Sequence, residues 1–232
     1  MTLEEAAEYV HVPANDLKHF AQRGEVEGVE RNGQWRFDMR SLAEWAQRNL
    51  LSSSARELDA HNRRIDETAR RTQGGEWSVA DFFREGAVEL SLSAKAKGGV
   101  LRDLAELADA SGLCYDKESL FRELVSREEK ASTAVGGGCA FPHAHFLDPY
   151  MFEAPFVAYA RSPRGVFFGG PEGEATRHFF LVCSVDHSMH LRVLARLARL
   201  AKRTPLLEAL DAVEAPADAI AAVREAERGL AQ

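Results

Sequence analysis

The chain has 232 residues, with 29 Lys+Arg against 36 Asp+Glu, a net charge of −7 and 45% hydrophobic content. That length suits one large or two small domains with a filled core, and the acidic balance argues against broad nucleic-acid affinity while leaving room for a small DNA-reading module. No run approaches the roughly 20 apolar residues that span a bilayer, the acidic start Met1-Thr2-Leu3-Glu4-Glu5 does not read as a signal peptide, and three cysteines, Cys114, Cys139 and Cys183, without CxxC spacing point to a reducing cytoplasm.

The first 50 residues form a pattern of their own. Thr2 followed by Glu5 is a capping box that opens a helix through Tyr9. A tight turn over Val10 to Pro13 leads to a second helix, Asn15 to Arg23, stopped by Gly24. Val26 to Val29 and Gln34 to Phe37 flank Arg31-Asn32-Gly33, a strong two-residue hairpin signal. A last helix, Asp38 to Leu50, carries Leu42 and Trp45 on one face. Helix–turn–helix–hairpin–helix is the plan of a small winged helix-turn-helix.

Residues 51–74 are polar and helix-prone. Leu51, Leu58 and Ile65 recur every seven residues, with Ala55, Asn62 and Ala69 at the second seam position. This predicts a helical linker, read either as a short coiled-coil stem of a homodimer or as a solvated helix. Gly74-Gly75 breaks the helix and marks a boundary.

Residues 75–232 alternate strand and helix patterns. A short helix is expected over Val79 to Arg84, and a strand over Val88 to Leu92. Amphipathic helices follow at Lys95 to Ser111 and Lys117 to Glu129. Strands are expected at Phe156 to Ala160 and His178 to Cys183, with Val166-Phe167-Phe168 as a third candidate. Helices close the chain at His190 to Arg203, Leu206 to Ala212 and Pro216 to Leu230. The alternation predicts an α/β sandwich around a mixed sheet.

The richest stretch is Ser132-Thr133-Ala134-Val135-Gly136-Gly137-Gly138-Cys139-Ala140-Phe141-Pro142-His143-Ala144-His145. Three glycines can take φ > 0 and turn backbone N–H groups into one anion-holding concavity. Pro142 fixes its own φ and biases Phe141 to an extended conformation, which holds His143 at a defined turn. A histidine beside such a loop suggests phosphate chemistry at imidazole.

The segment Arg127-Glu128-Glu129-Lys130-Ala131-Ser132-Thr133, the glycine loop and Phe141-Pro142-His143-Ala144 together resemble the signature of phosphotransferase-system enzyme IIA domains of the fructose/mannitol type, a group that includes the nitrogen-regulatory IIA proteins. His190-Leu191-Arg192-Val193-Leu194 resembles the second motif of that family, and the resemblance covers about residues 75 to 232. Likewise, Leu3-Glu4-Glu5-Ala6-Ala7, Gly24-Glu25 and Gly33-Gln34-Trp35-Arg36-Phe37 resemble the excisionase/MerR-like DNA-binding domains.

The IIA resemblance implies a phosphohistidine carrier rather than a turnover enzyme, with no cofactor and no metal. His143 would accept a phosphoryl group from a histidine phosphocarrier protein, His190 would donate a hydrogen bond to the phosphoryl oxygens, and Arg127 would neutralise them. Ser132, Thr133 and the backbone of Gly136, Gly137, Gly138, Cys139 and Ala140 would complete the cradle. The second resemblance implies that Asn15, Lys18, His19 and Gln22 face base edges and that Arg31 and Arg36 face phosphates. Against this, residues 1–50 hold six Lys/Arg and nine Asp/Glu, a balance of −3 that neutralises phosphates poorly.

The chain departs from the IIA pattern at Gly137, often Asn, at Phe141, usually a small aliphatic, and at His145, often Lys or Arg. His143, His145, His187 and His190 also form two short-spaced pairs compatible with Zn²⁺. Three classes follow: a phosphorylation-gated transcription regulator, a free-standing phosphocarrier for a sugar permease, and a non-phosphorylated ligand- or metal-binding module on a IIA scaffold.

Overall fold

A computed structural model describes residues 1–73, 77–144, 148 and 150–230. The chain divides into two compact units just before Trp77. The boundary expected at Gly74 and Gly75 lies outside the described residues.

In the first unit, α1 (Leu3–Tyr9) opens on the expected capping box, with the Thr2 side chain and Glu5 satisfying each other's backbone N–H groups. After the turn, α2 (Ala14–Gln22) ends before Gly24, whose φ of +73° lets the chain reverse. The hairpin pairs β1 (Val29–Arg31) with β2 (Gln34–Arg36); β1 starts three residues after the expected Val26 and runs on to Arg31, and β2 stops one residue before the expected Phe37. Asn32 and Gly33 both have positive φ, at 53° and 76°, the geometry of a two-residue primed turn. Asp38 caps α3 (Met39–Ser52), which buries Leu42, Trp45 and Leu50.

The segment expected as a helical linker, residues 51–74, is helical over most of its described length. The helix is not continuous from residue 51: α3 stops at Ser52, Ser53 is extended, and α4 (Ala55–Gln73) restarts on a Ser54–Glu57 capping pair. The seam residues Leu51, Leu58, Asn62 and Ile65 are buried within the chain. On the same helix, Arg64 Nε donates to the His11 carbonyl at 3.0 Å, and the His11 and His61 rings meet edge to face at 6.1 Å. These contacts make α4 part of the core of the first unit, so its apolar seam is already used.

The second unit is built on a five-stranded mixed sheet ordered β3-β6-β7-β5-β4. Its strands are β3 (Phe83–Glu89), β4 (Ala134–Gly136), β5 (Cys139–Ala140), β6 (Phe156–Val166) and β7 (Thr176–Cys183). β3 runs parallel to β6 and β5 parallel to β7, while β6–β7 and β4–β5 are antiparallel. The short helix expected first is a 3-10 turn, Val79–Phe82, and β3 begins at Phe83, five residues before the expected strand. The glycine stretch holds two strands that the sequence did not suggest. Conversely, Val166 ends β6, and Phe167-Phe168 form no strand.

Helices cover both faces of the sheet. α5 (Lys97–Ala110) and α6 (Lys117–Lys130) place Val100, Leu101, Leu104, Leu120 and Leu124 against Ala158, Ala160, Phe179 and Leu181 in one core. The alternate residues, Val157, Tyr159, Phe180 and Val182, point to the other face. There α7 (His187–Arg203) packs on β7, and α9 (Pro216–Leu230) packs on β3. α8 (Leu206–Ala212) joins them. Strands buried on both faces read as continuous apolar runs, which is why β6 and β7 were legible in the sequence.

Candidate functional site

Three elements bring three side chains together. His143 follows β5 and pairs with Val182 in a parallel bridge, so it sits where β5 and β7 finish. From Cys183 the chain needs only Ser184, Val185 and the capping residue Asp186, whose carboxylate accepts from Met189 N at 2.8 Å, to start α7. His190 therefore stands in the first turn of α7, and its ring centroid is 4.9 Å from that of His143. Arg127 comes from the last turn of α6, on the stripe that also buries Leu120 and Leu124.

The His143 ring is oriented at both nitrogens. Nδ1 lies 2.7 Å from the Phe141 carbonyl, and Nε2 lies 3.0 Å from Arg127 Nε. A guanidinium can only donate and a carbonyl can only accept. The two contacts therefore assign the neutral tautomer, with the proton on Nδ1 and the lone pair on Nε2. Arg127 is held from behind by a hydrogen bond from its Nη1 to the Ala131 carbonyl at 2.9 Å.

The site is closed to solvent: His143 and His190 are both 0% exposed and Arg127 is 4% exposed. Burial pushes His190 down to about 3, with smaller contributions from His187 and Arg127, so its ring is neutral at physiological pH. Neither His190 ring nitrogen has a hydrogen-bond partner among the described residues. A fully buried neutral imidazole with an unmet donor, beside a histidine that presents a lone pair, is suited to receiving an anion at that lone pair.

The other expected ligands lie elsewhere. Gly136, Gly137 and Gly138, with φ of 85°, 65° and 73°, form the turn between β4 and β5. Along β7 the turn lies beside His178 and His143 lies beside Val182, four residues on. At the rise of a parallel strand that is about 13 Å. The Gly138 carbonyl accepts from Arg177 and His178, and Cys139 and Ala140 pair in the sheet. The Gly138 carbonyl and the backbone of Cys139 and Ala140 are therefore used in strand pairing and turn closure. Ser132 Oγ donates to the Phe168 carbonyl, and Thr133 Oγ1 donates to Glu128. Beside the glycine turn, Tyr159 Oη is 2.9 Å from His178 Nδ1, and burial brings His178 to about 4.

His145, one of the four imidazoles in the zinc reading, lies outside the described residues. Among the described residues no group of three or more His, Cys, Asp or Glu could hold a metal.

In the first unit, Asn15, His19 and Gln22 are exposed along α2, with Lys18 half-buried between them. Arg31 and Arg36 are exposed on the hairpin, and Arg36 is steadied by the Trp35 carbonyl and Gln34 Oε1. No described helix is long and apolar enough to cross a membrane.

Residues 81–226 match the family model described as phosphoenolpyruvate-dependent sugar phosphotransferase system, EIIA 2, and residues 1–50 match a helix-turn-helix domain. A nitrogen regulatory protein of Bradyrhizobium diazoefficiens is 30% identical over 137 residues, covering 58% of this chain and 86% of that protein. A fructose-specific EIIA component of Haloferax volcanii is 32% identical over 105 residues, 44% of this chain and 66% of its own length. A fructose-specific EIIABC component of Bacillus subtilis is 25% identical over 134 residues, 57% of this chain, and the match spans only 21% of that protein. Among solved structures, the nitrogen regulatory protein IIA-Ntr of Neisseria meningitidis superposes with a TM-score of 0.56 at 21% identity, over 62% of this chain and 98% of its own. The mannitol IIA of Escherichia coli gives 0.53 at 19%, over 60% and 97%. At such identities the structures establish the fold alone, and it is the family match over well more than half of the chain that decides its membership: the chain belongs to the EIIA type 2 family of the phosphotransferase system, with an N-terminal helix-turn-helix domain.

Proposed function

We propose that His143 accepts a phosphoryl group from a histidine phosphocarrier protein and that the charge gained controls DNA binding by the helix-turn-helix unit. One observation carries the reading. His143 is held with its proton on Nδ1, and its Nε2 lone pair faces Arg127 beside His190, whose ring nitrogens have no partner among the described residues.

In this reading the Nε2 lone pair attacks the phosphorus of the donor's phosphohistidine. The N–P bond of the donor breaks with its electron pair returning to the donor imidazole, and a new N–P bond forms at Nε2. The proton stays on Nδ1, donated to the Phe141 carbonyl, throughout. Arg127 Nε releases Nε2 and its guanidinium turns to the phosphoryl oxygens, which it can meet with several donors. His190 gives them its single N–H. The transfer is mainly alignment and charge neutralisation, and both come from His190 and from Arg127 once it has left Nε2 and the closed site has opened to the donor.

A phosphoryl group adds up to two negative charges at a site that holds a cation and two neutral rings. The DNA-facing candidates are Asn15, Lys18, His19 and Gln22 on α2 and Arg31 and Arg36 on the hairpin. The name of the Bradyrhizobium relative supports a regulatory rather than a transport role, and the reading places the protein in the cytoplasm. The fructose-specific names of two other relatives support a second reading, a free-standing phosphocarrier feeding a separate sugar permease.

Incubation with enzyme I, the phosphocarrier protein and labelled phosphoenolpyruvate tests the first step. Acid-labile label on the wild type and none on His143→Ala is the expected result. Phosphorylation-dependent retention on selected DNA then separates the regulator from the carrier. No label on the wild type from a cognate donor would leave a ligand-binding module on a IIA scaffold.

A further inference from the structure

Beside the site lies an ion pair, its carboxylate buried and its lysine 39% exposed, that the proposed phosphoryl transfer does not itself use. The Glu128 side chain is 3% exposed, and its Oε1 accepts from Lys97 Nζ at 3.1 Å. Its Oε2 accepts twice from Thr133, from the backbone N–H at 3.0 Å and from Oγ1 at 2.7 Å. Room for the pair is built into the backbone. Gly169 sits at a φ of +106°, and a Cβ there would come within 2.9 Å of Ser132 Oγ and 3.1 Å of Lys97 Nζ. Lys97 is further held over the Phe168 ring at 5.3 Å.

Such a pair adds little net stability, because the buried carboxylate loses its hydration and the exposed lysine is screened by solvent. Its connections indicate a different use. Thr133, fixed by Glu128, presents its carbonyl to Phe141 N at 3.0 Å. Phe141 in turn presents its carbonyl to His143 Nδ1 at 2.7 Å. On the other side of the ring, Arg127, the helical neighbour of Glu128, reaches Nε2 while braced on the Ala131 carbonyl. The supports of both ring nitrogens thus converge on the short segment Ala131 to Thr133, which Arg127 ties to the end of α6 at Ala131 and Glu128 ties at Thr133.

We infer that Glu128 is a positioning residue: through Thr133 and Phe141 it sets the tautomer of His143, and through the end of α6 it aims Arg127 at Nε2. Its consequence for phosphoryl transfer rests on the proposed function above, whereas its consequence for the tautomer does not. Glu128→Gln keeps the shape and removes the charge. Thr133→Val removes the hydroxyl donor, and Thr133→Ser keeps it.

The first readout is the pair of His143 ring-nitrogen shifts in long-range ¹H–¹⁵N spectra of the unphosphorylated full chain. Wild type and Thr133→Ser are expected to show a protonated Nδ1 and a bare Nε2. Glu128→Gln and Thr133→Val are expected to show averaging between the two tautomers. The second readout is labelling from phosphoenolpyruvate, expected to slow by roughly 10- to 100-fold in the same two variants, as a misplaced reacting group does. Should Glu128→Gln not fold, Thr133→Val carries the test. Wild-type ring shifts in either folded variant would overturn the inference and reduce the pair to packing. A wild type that shows the fixed tautomer but takes no label would sink the phosphocarrier reading and leave the positioning role standing.

Discussion

Arg127 Nε sits 3.0 Å from His143 Nε2 and donates to the one lone pair the ring has available. The contact orients the ring and also occupies the nitrogen that would react. Arg127 must therefore leave Nε2 before a phosphoryl group can arrive, and the same guanidinium is then free to meet the incoming oxygens. Arg127→Gln should lower labelling from the phosphocarrier by roughly 10²-fold or more, the usual cost of losing one preorganised charge-stabilising donor. Arg127→Lys should recover only part of it, because an ammonium cannot brace on Ala131 and reach Nε2 with a planar fork. Initial labelling rates, with folding checked by circular dichroism, decide this.

His190 makes an opposite pair of demands on stability and function. It is fully buried with no partner on either ring nitrogen among the described residues, and unmet polar groups of this kind cost roughly 1–3 kcal/mol. His190→Leu should therefore leave the unphosphorylated protein as stable as the wild type, or more so by about 1 kcal/mol, in urea unfolding. It should shorten the lifetime of phospho-His143. A destabilised His190→Leu would mean that the ring is satisfied in solution.

The buried histidines also set an acid limit. Burial pushes His61 and His190 down to about 3 and His178 to about 4, each from an ordinary 6.5. Below pH 6.5 the unfolded chain binds protons that the folded chain refuses, so stability is intact above that pH and falls as the pH drops toward 4. Each histidine should contribute a loss of no more than roughly 3 kcal/mol between pH 7 and pH 4. Urea midpoints across that range should fall steadily, and His61→Leu should flatten the slope for the first unit. A pH-independent midpoint would contradict the depressed values.

The glycine turn gives a test that separates structure from chemistry. Gly137 has a φ of +65°, a region that costs an ordinary residue roughly 1–2 kcal/mol, and the space around it is open apart from Leu207 Cδ1 at 3.9 Å. Gly137→Ala should lower stability by about that amount and leave the labelling of His143 near the wild-type rate, since the turn lies four residues along β7 from the site. Loss of labelling without loss of stability would restore the turn as a phosphate cradle.

DNA binding, if it is the output, should be weakly salt-dependent. With a balance of −3 over residues 1–50, few phosphates can be neutralised. Arg31→Ala and Arg36→Ala should each weaken retention on all sequences and reduce the salt slope by about one. Asn15→Ala and Gln22→Ala should instead relax the preference among sequences. Fluorescence anisotropy at several salt concentrations distinguishes the two patterns.

The sequence by itself determined the features that rest on local physics. The capping box of Thr2 and Glu5, the turn at Asn32-Gly33 and the stop at Gly24 each need only neighbouring residues, and each stands where it was expected. The spans of α8 and α9, and the double-sided apolar runs of β6 and β7, were legible for the same reason. The grouping of His143, Arg127 and His190 came from a resemblance between motifs, because no local rule links residues 63 positions apart.

Tertiary structure decided what long-range pairing controls. Three glycines in a row carry no signal of strand pairing, and it is the pairing of β5 with both β4 and β7 that sets them in the turn between β4 and β5. β3 lies at the sheet edge with a shifted register between Phe83 and Val88, so its polar first half carries no alternating signal. The heptad of Leu51, Leu58 and Ile65 is the same whether it faces a second chain or its own, and only the fold, with Arg64 on the His11 carbonyl, turns it inward. The tautomer of His143 depends on a carbonyl two residues away and a guanidinium sixteen residues away, a geometry that exists only once α6 and β5 have packed.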